Sequence, residues 1–289
     1  MKDSIPYVIS ASRRTDIPAF YMDWFMHQLK QGFFVLTNPY NKRQSTLHVS
    51  KDHVHCIVFW SKNYGPFIKH NYGKHLNKLG YKFVFHFTIN SSSLLEPQLP
   101  SLNNRLDQLK ILCEEYSPDS IYWRFDPICF YMKRHSNGFS KIYNNLNQFE
   151  YIAEVASNNK ITRCIISFMR QYPKISRRIS NNKIPIQFVS LSQNEKLQLL
   201  SKMEQRLISK QIRLLTCCEK NVLSLIPNTT IKPATCISHH HLMQVMGGSL
   251  SLKKDHGQRV KEGCNCQVSK DIGSYDQRCF HRCLYCYAR

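Results

Sequence analysis

The sequence predicts an α/β protein built as a complete or partial (β/α) barrel. Seven short apolar segments recur along the chain, and most alternate with stretches of helical spacing. Such alternation implies a parallel sheet, because parallel neighbours need crossover connections. Most of the apolar segments also run at their C-terminal ends into polar residues, where barrels and open parallel sheets alike bind ligands. A doubly wound open sheet is the alternative. With 289 residues, 42% hydrophobic and 20% charged, the chain is long enough to bury a sizeable core.

The first strand, over 7–10, enters a polar loop, Ser12-Arg13-Arg14-Thr15-Asp16, before Ile17-Pro18 opens a helix running to Lys30 and Gly32. Thr15 or Asp16 can cap that helix, but capping does not account for two adjacent arginines. Strands over 33–36, 56–60, 83–88, 121–125, 163–168 and 212–217 follow. Their distal ends carry Asn38-Pro39-Tyr40-Asn41, Ser61-Lys62-Asn63, Ile89-Asn90 and Asp126-Pro127. Apolar spacing places helices over 66–79, 103–116, 139–157 and 193–210, and none over 49–54. Arg13, Arg14, Asp16, Lys62, Asn63, Arg124 and Asp126 therefore gather at the binding edge, where Arg124 and Asp126 are equally suited to pair with each other.

The rhythm breaks near Leu223. Ile226-Pro227-Asn228, Lys232-Pro233 and Gly247-Gly248 mark turns, and the remainder is rich in cysteine and histidine. The expected organisation is a barrel-like domain over 1–222 and a cysteine-rich extension over 223–289 packed on its mouth. So short a segment needs a metal or a host to order it. His239-His240-His241 reads as a turn or cap rather than a metal patch.

Forty Lys+Arg against nineteen Asp+Glu give a formal charge of +21. That excess suits nucleic acid or another acidic substrate, and equally a generally basic surface. No apolar run spans a membrane, and Met1-Lys2-Asp3-Ser4 does not begin a signal peptide, which places the protein in the cytoplasm without a membrane partner. There, twelve cysteines argue for metal sites and buried thiols rather than disulfides.

Cys56, Cys113, Cys129 and Cys164 sit in apolar or amphipathic surroundings and read as small core residues. Cys279, Cys283 and Cys286 are spaced so that three thiolates of one loop can face three irons of a cubane, leaving the fourth open. A three-ligand zinc knuckle is the competing reading. Cys217 or Cys218, with Cys236, Cys264 and Cys266, supplies a second candidate site for a [4Fe-4S] cluster or Zn. Neighbouring residues of an extended chain point opposite ways, so only one of Cys217 and Cys218 is expected to reach the mouth.

The spacing Cys279-x3-Cys283-Leu284-Tyr285-Cys286 resembles the cluster signature of radical S-adenosylmethionine enzymes. Nearly the whole chain resembles an uncharacterised bacterial radical-SAM-like family, a domain of unknown function. The matching stretches include Ser12-Arg13-Arg14-Thr15-Asp16-Ile17-Pro18-Ala19, Val58 to Asn63, Trp123 to Ile128, Cys217-Cys218-Glu219, Gly263 to Cys266, Asp271 to Tyr275 and Cys279 to Ala288. Ser61 and Phe125 depart from the threonine and tyrosine expected there. The resemblance selects Cys217 over Cys218 and implies a barrel of the radical SAM type. It also implies a [4Fe-4S] cluster on Cys279, Cys283 and Cys286, S-adenosyl-L-methionine as cofactor, and a one-electron reductant such as flavodoxin or ferredoxin. Arg13, Arg14, Asp16, Lys62, Asn63, Arg124 and Asp126 are the candidates for contact with that cofactor or the substrate. The late position of the motif fits a permuted chain whose tail returns to the mouth. The alternative function is a zinc- or cluster-stabilised nucleic-acid-binding protein without catalysis.

Overall fold

Strands buried on both faces need no alternation, and the apolar runs of this chain become such strands. A computed structural model describes residues 6–38, 41–135, 138–226 and 229–288. Pro39, Tyr40, Pro227 and Asn228 of the expected turns lie outside them, as does the N-terminal tetrapeptide.

In chain order, β1 (Tyr7–Ala11) leads into α1 (Ile17–Phe20) and α2 (Met22–Gln31). Then come β2 (Phe33–Thr37), β3 (Gln44–His48), β4 (Val54–Ser61), α3 (Gly65–Lys69), α4 (Tyr72–Lys78), β5 (Phe83–Thr88) and α5 (Leu102–Tyr116). The middle of the chain forms β6 (Ile121–Ile128), β7 (Phe130–His135), β8 (Gly138–Asn144), α6 (Phe149–Asn158), β9 (Arg163–Phe168) and α7 (Pro173–Asn181). The last elements are β10 (Ile186–Val189), α8 (Gln193–Ile208), β11 (Arg213–Thr216), α9 (Lys220–Leu223), β12 (Lys232–Pro233), α10 (His239–Met246) and β13 (Lys270–Asp271).

One eight-stranded sheet, parallel at every pairing, runs β12-β11-β9-β6-β5-β4-β1-β13. From β1 to β12 its spatial order follows the chain, so there is no reversal point of the kind a doubly wound sheet has. Among the described residues its edge strands β12 and β13 do not pair with each other.

The two faces of the sheet are covered differently. Ile9, Ile57, Phe59, Phe85, Trp123 and Ile166 bury one face in the main core, with Phe25, Phe67, Leu109, Ile152 and Leu207 of the helices. Val8, Val58, Val84, Tyr122 and Ile165 bury the other against Cys236, Ile237, Leu242, Leu250 and Cys266 of the extension. The extension therefore fills the second face of the sheet and supplies both of its edges, beyond resting on a mouth.

Several expected elements differ. The strand over 33–36 pairs with β3 in a separate two-stranded sheet, where Val35 is exposed while Phe34 is buried and Leu36 packs partly against the main core. The helix expected over 66–79 is two, parted at Asn71, whose φ of 52° is left-handed. The helix expected over 139–157 gives its first part to β8, which joins β7 and β10 in an antiparallel sheet. There Tyr131 and Tyr143 sit directly opposite and stack with centroids 5.8 Å apart, a cross-strand contact that helical spacing cannot foresee.

Candidate functional site

Three sequence-distant segments meet at the C-terminal edge of the sheet. Asp16 caps α1 through Ala19 N at 3.0 Å, followed by Pro18 in the first turn. Its other oxygen accepts from Lys62 N at 2.9 Å and faces His281 Nε2 at 2.8 Å. One buried carboxylate thus joins the end of β1, the end of β4 and the terminal loop. Asp271 does the same for β13: it accepts from Ser10 Oγ at 2.9 Å, Ser12 Oγ at 2.6 Å and Arg13 N at 2.9 Å.

The loop carrying Cys279, Cys283 and Cys286 is held from several sides. Leu284 N donates to Leu95 O at 2.9 Å, and Arg178 Nη2 donates to Leu284 O at 2.7 Å and Cys286 O at 3.0 Å. The Tyr285 hydroxyl donates to Glu96. Glu96 is buried with Lys62 Nζ at 2.8 Å, Asn90 Nδ2 at 2.9 Å and Arg105 Nη1 at 3.7 Å. Burial opposes its charge, but Lys62 and Arg105 more than offset this and hold the carboxyl below its usual range. Cys283 is buried, and Cys279 and Cys286 are half-buried. Burial, with Asp16 nearby, pushes the Cys279 thiol up to about 12, and burial raises Cys283 as well. As bare thiols Cys279 and Cys283 keep their protons at neutral pH.

The second set comes together more tightly than expected. Cys217 Sγ lies 3.7 Å from Cys218 Sγ and 3.8 Å from Cys236 Sγ. Cys218 also interacts with Cys264, Cys264 with Cys266, and Cys266 with Cys236. The expectation that only one of Cys217 and Cys218 reaches the mouth is corrected. Cys218 has a left-handed φ of 62°, which breaks the extended alternation and turns both thiols to one side. Arg124 Nη1 donates to Cys236 Sγ at 3.1 Å. Among the described residues no three His, Cys, Asp or Glu side chains stand around one ion position. The four remaining predicted core cysteines, Cys56, Cys113, Cys129 and Cys164, are buried.

One cavity of about 310 Å³ is lined by members of both sets, by Cys286 of the first and by Cys217, Cys218, Cys236, Cys264 and Cys266 of the second. Its walls hold five basic side chains, Arg13, Lys62, Arg124, Arg170 and Arg259, against one carboxylate, Asp126. Trp60 lies between two of them, with Arg13 Cζ 5.3 Å and Arg124 Cζ 5.4 Å from its ring. Behind it, Trp60, His86 and Tyr122 stack across adjacent strands at 4.0 and 4.4 Å. His86 is fully buried, and burial beside Arg124 lowers its pKa to about 3, so the ring is neutral and donates from Nε2 to Cys236 O at 2.8 Å.

Of the predicted contact residues, Arg13, Lys62, Arg124 and Asp126 line the cavity. Arg124 and Asp126 are paired with each other, and Ser167 donates to Asp126. Arg14, Asp16 and Asn63 are not among its lining residues. Arg14 Nη1 donates to Gly273 O at 3.0 Å. Asn63 Oδ1 accepts from Gly65 N at 3.0 Å and Gln108 Nε2 at 2.9 Å, which fixes the start of α3. His239 and His241 are buried in the first turn of α10, capped by Ser238, so the histidine run is a helix start. Sequence reasoning missed Trp60, Glu96 and Asp271 as site residues and offered Cys218 only as the alternative to Cys217. Only the position of Trp60 at a strand end could have signalled one of them.

Fold and site together define an α/β protein with an open parallel sheet and a thiol-lined, arginine-rich cavity at its C-terminal edge. The chain belongs to the family described as a domain of unknown function (DUF1848), which matches residues 8–288. No curated protein matches it. Among solved structures, a D-hydantoinase from a Bacillus sp. AR9, described with evidence for mercury inhibition, is similar at 9% identity and a TM-score of 0.29. The match covers 80% of this chain and 44% of that one, and at that score carries no argument. No helix among the described residues is long and apolar enough to cross a membrane.

Proposed function

We propose that this protein is a radical SAM-type enzyme whose cluster is held by Cys279, Cys283 and Cys286. One observation carries the reading: a three-thiol loop is pinned at the C-terminal edge of a parallel sheet, with Cys286 facing a cavity. A cubane offers separate iron corners rather than one ion position, so the reading is supported by three thiols on one fixed loop, of which Cys286 lines the cavity while Cys279 is half-buried and Cys283 buried beside it in sequence. The sequential strand order supports a partial barrel. Cys279, Cys283 and Cys286 would hold the cluster, which would supply an open iron for S-adenosylmethionine and an electron for its reductive cleavage.

The chain's own residues orient and shield. Glu96, held charged by Lys62 and Arg105, fixes Tyr285 and hence the loop. Trp60, Phe168 and Tyr287 give the cavity apolar walls that exclude water from a radical. Arg13 and Arg124 offer the charge that a carboxylate or phosphate group needs. A cytoplasmic ferredoxin or flavodoxin is the fitting reductant.

Anaerobic purification followed by iron, sulfide and zinc analysis tests the reading, together with an assay for 5′-deoxyadenosine after adding reductant and S-adenosylmethionine. Iron, together with a cleavage activity that is lost in Cys279→Ala/Cys283→Ala/Cys286→Ala, supports it. Zinc alone, with tight salt-dependent binding to DNA or RNA, overturns it in favour of the nucleic-acid-binding alternative.

A further inference from the structure

We propose that the cavity carries a second, fully thiolate-ligated [4Fe-4S] site, drawn from Cys217, Cys236, Cys264 and Cys266 with Cys218 beside them. The proposed function needs only the terminal loop and leaves these five buried thiols without a task.

The thiols come from three segments, 217–218, 236 and 264–266, separated by long stretches of chain, yet they line one cavity together. Their contacts run in a ring, Cys217 to Cys218 to Cys264 to Cys266 to Cys236 and back to Cys217. Cys217 and Cys236 stand 3.8 Å apart, which is also the sulfur spacing of a single tetrahedral zinc ion, so metal content rather than distance separates a cluster from zinc. Five thiols from three segments exceed the four that one tetrahedral zinc takes, and the separate corners of a cubane suit ligands that converge from several segments.

The surrounding charge fits an anionic centre. Arg124 is buried and donates to Cys236 Sγ at 3.1 Å. Arg13 stands close enough to feel Cys236 and Cys266, with its Nη2 buried and lacking a hydrogen-bond partner, and Arg259 stands close to Cys217 and Cys218. Buried thiolates require such compensation, and N–H donors to sulfur are what tune a cluster. The segments carrying the thiols have little regular structure of their own, with β12 and β13 two residues each, so a cluster also acts as their staple.

This assignment does not rest on the terminal cluster, and iron counting separates the two. The chain is reconstituted anaerobically with iron and sulfide, as wild type and as Cys279→Ala/Cys283→Ala/Cys286→Ala. The expected result is about four irons and four sulfides retained by the triple variant, with a visible absorption that dithionite bleaches. Cys236→Ser and Cys266→Ser in that background should remove them while the helical circular dichroism signal is kept. If the wild type holds about four irons and the triple variant none, this second site is overturned and the terminal one stands. If both hold about four and neither cleaves S-adenosylmethionine, the second site stands and the proposed function fails. One zinc per triple variant, without iron, overturns the cluster.

Discussion

His281 Nε2 lies 2.8 Å from Asp16 Oδ2, joining the terminal cysteine loop to the first loop of the sheet across 265 positions of sequence. Because Asp16 also caps α1 and accepts from Lys62 N, the same carboxylate sets the helix start and the seat of the tail. Two substitutions separate these roles. Asp16→Ala removes both and should lower stability by about 1–2 kcal/mol, the range of a lost cap, in urea denaturation. His281→Ala leaves the cap in place and should alter global stability less, while making the tail easier to cleave in limited proteolysis. Equal stability losses in the two variants would argue that the cap is not what Asp16 contributes.

What could be read from sequence follows from which signals are local. The strands β1, β4, β5, β6, β9 and β11 were visible because burial on both faces writes itself as an apolar run. The edge strands β12 and β13 were not, since two residues paired through backbone alone leave no pattern. The same division holds at the site. Cysteine spacing exposed the terminal set and gathered four members of the second, but Cys218 was misplaced because its left-handed backbone depends on surroundings the sequence does not spell out. Glu96 and Asp271 were invisible for another reason: a carboxylate takes its meaning from partners, here Lys62, Arg105 and Tyr285, or Ser10 and Ser12, that only folding brings near.

Gly273 follows the Asp271 junction, and a Cβ there would lie 2.1 Å from Ser12 Oγ and 2.5 Å from Ser12 Cβ. No rotation of the serine relieves a clash with its own Cβ. Gly273→Ala should therefore push Asp271 away from Ser12 and cost about 1–3 kcal/mol, as overpacking does. Hydrogen exchange is the sharper readout. The amide of Ile272, which donates to Ser10 O at 3.1 Å, should exchange faster, and Ser12→Gly in the same chain should restore part of its protection.

Arg178 on α7 reaches two carbonyls of the terminal loop with one nitrogen, at 2.7 and 3.0 Å. A planar guanidinium can hold both, and a lysine ammonium at the end of a flexible stem cannot hold them in the same fixed geometry. Arg178→Ala and Arg178→Lys should each lower the iron retained after gel filtration while leaving the circular dichroism spectrum unchanged. A charged hydrogen bond contributes about 1.5–3 kcal/mol, enough to loosen a short loop without unfolding the sheet. Full iron retention in both variants would remove Arg178 from the positioning of the loop.

Acid should release the extension before it unfolds the sheet. Alongside His86, whose Nε2 donates to Cys236 O, two more histidines join the sheet side to the extension through a carbonyl: His55 Nε2 contacts Gly247 O at 2.8 Å, and His241 Nε2 contacts Asp119 O at 3.2 Å. Burial lowers the pKa of both, reinforced by Lys82 and His239 near His55 and by Arg163 near His241. The opposing contributions, the carbonyl contacts of both and Asp119 and Gln244 near His241, do not reverse the direction. In the unfolded chain each imidazole takes a proton near pH 6.5, whereas the folded protein resists protonation there. The unfolded state then binds more protons below about pH 6.5, so stability present above that value is lost as the pH falls. The melting temperature should decline from about pH 7 to pH 5, and His55→Gln/His241→Gln should flatten that decline. A slope unchanged by the double substitution would assign the acid sensitivity to other groups.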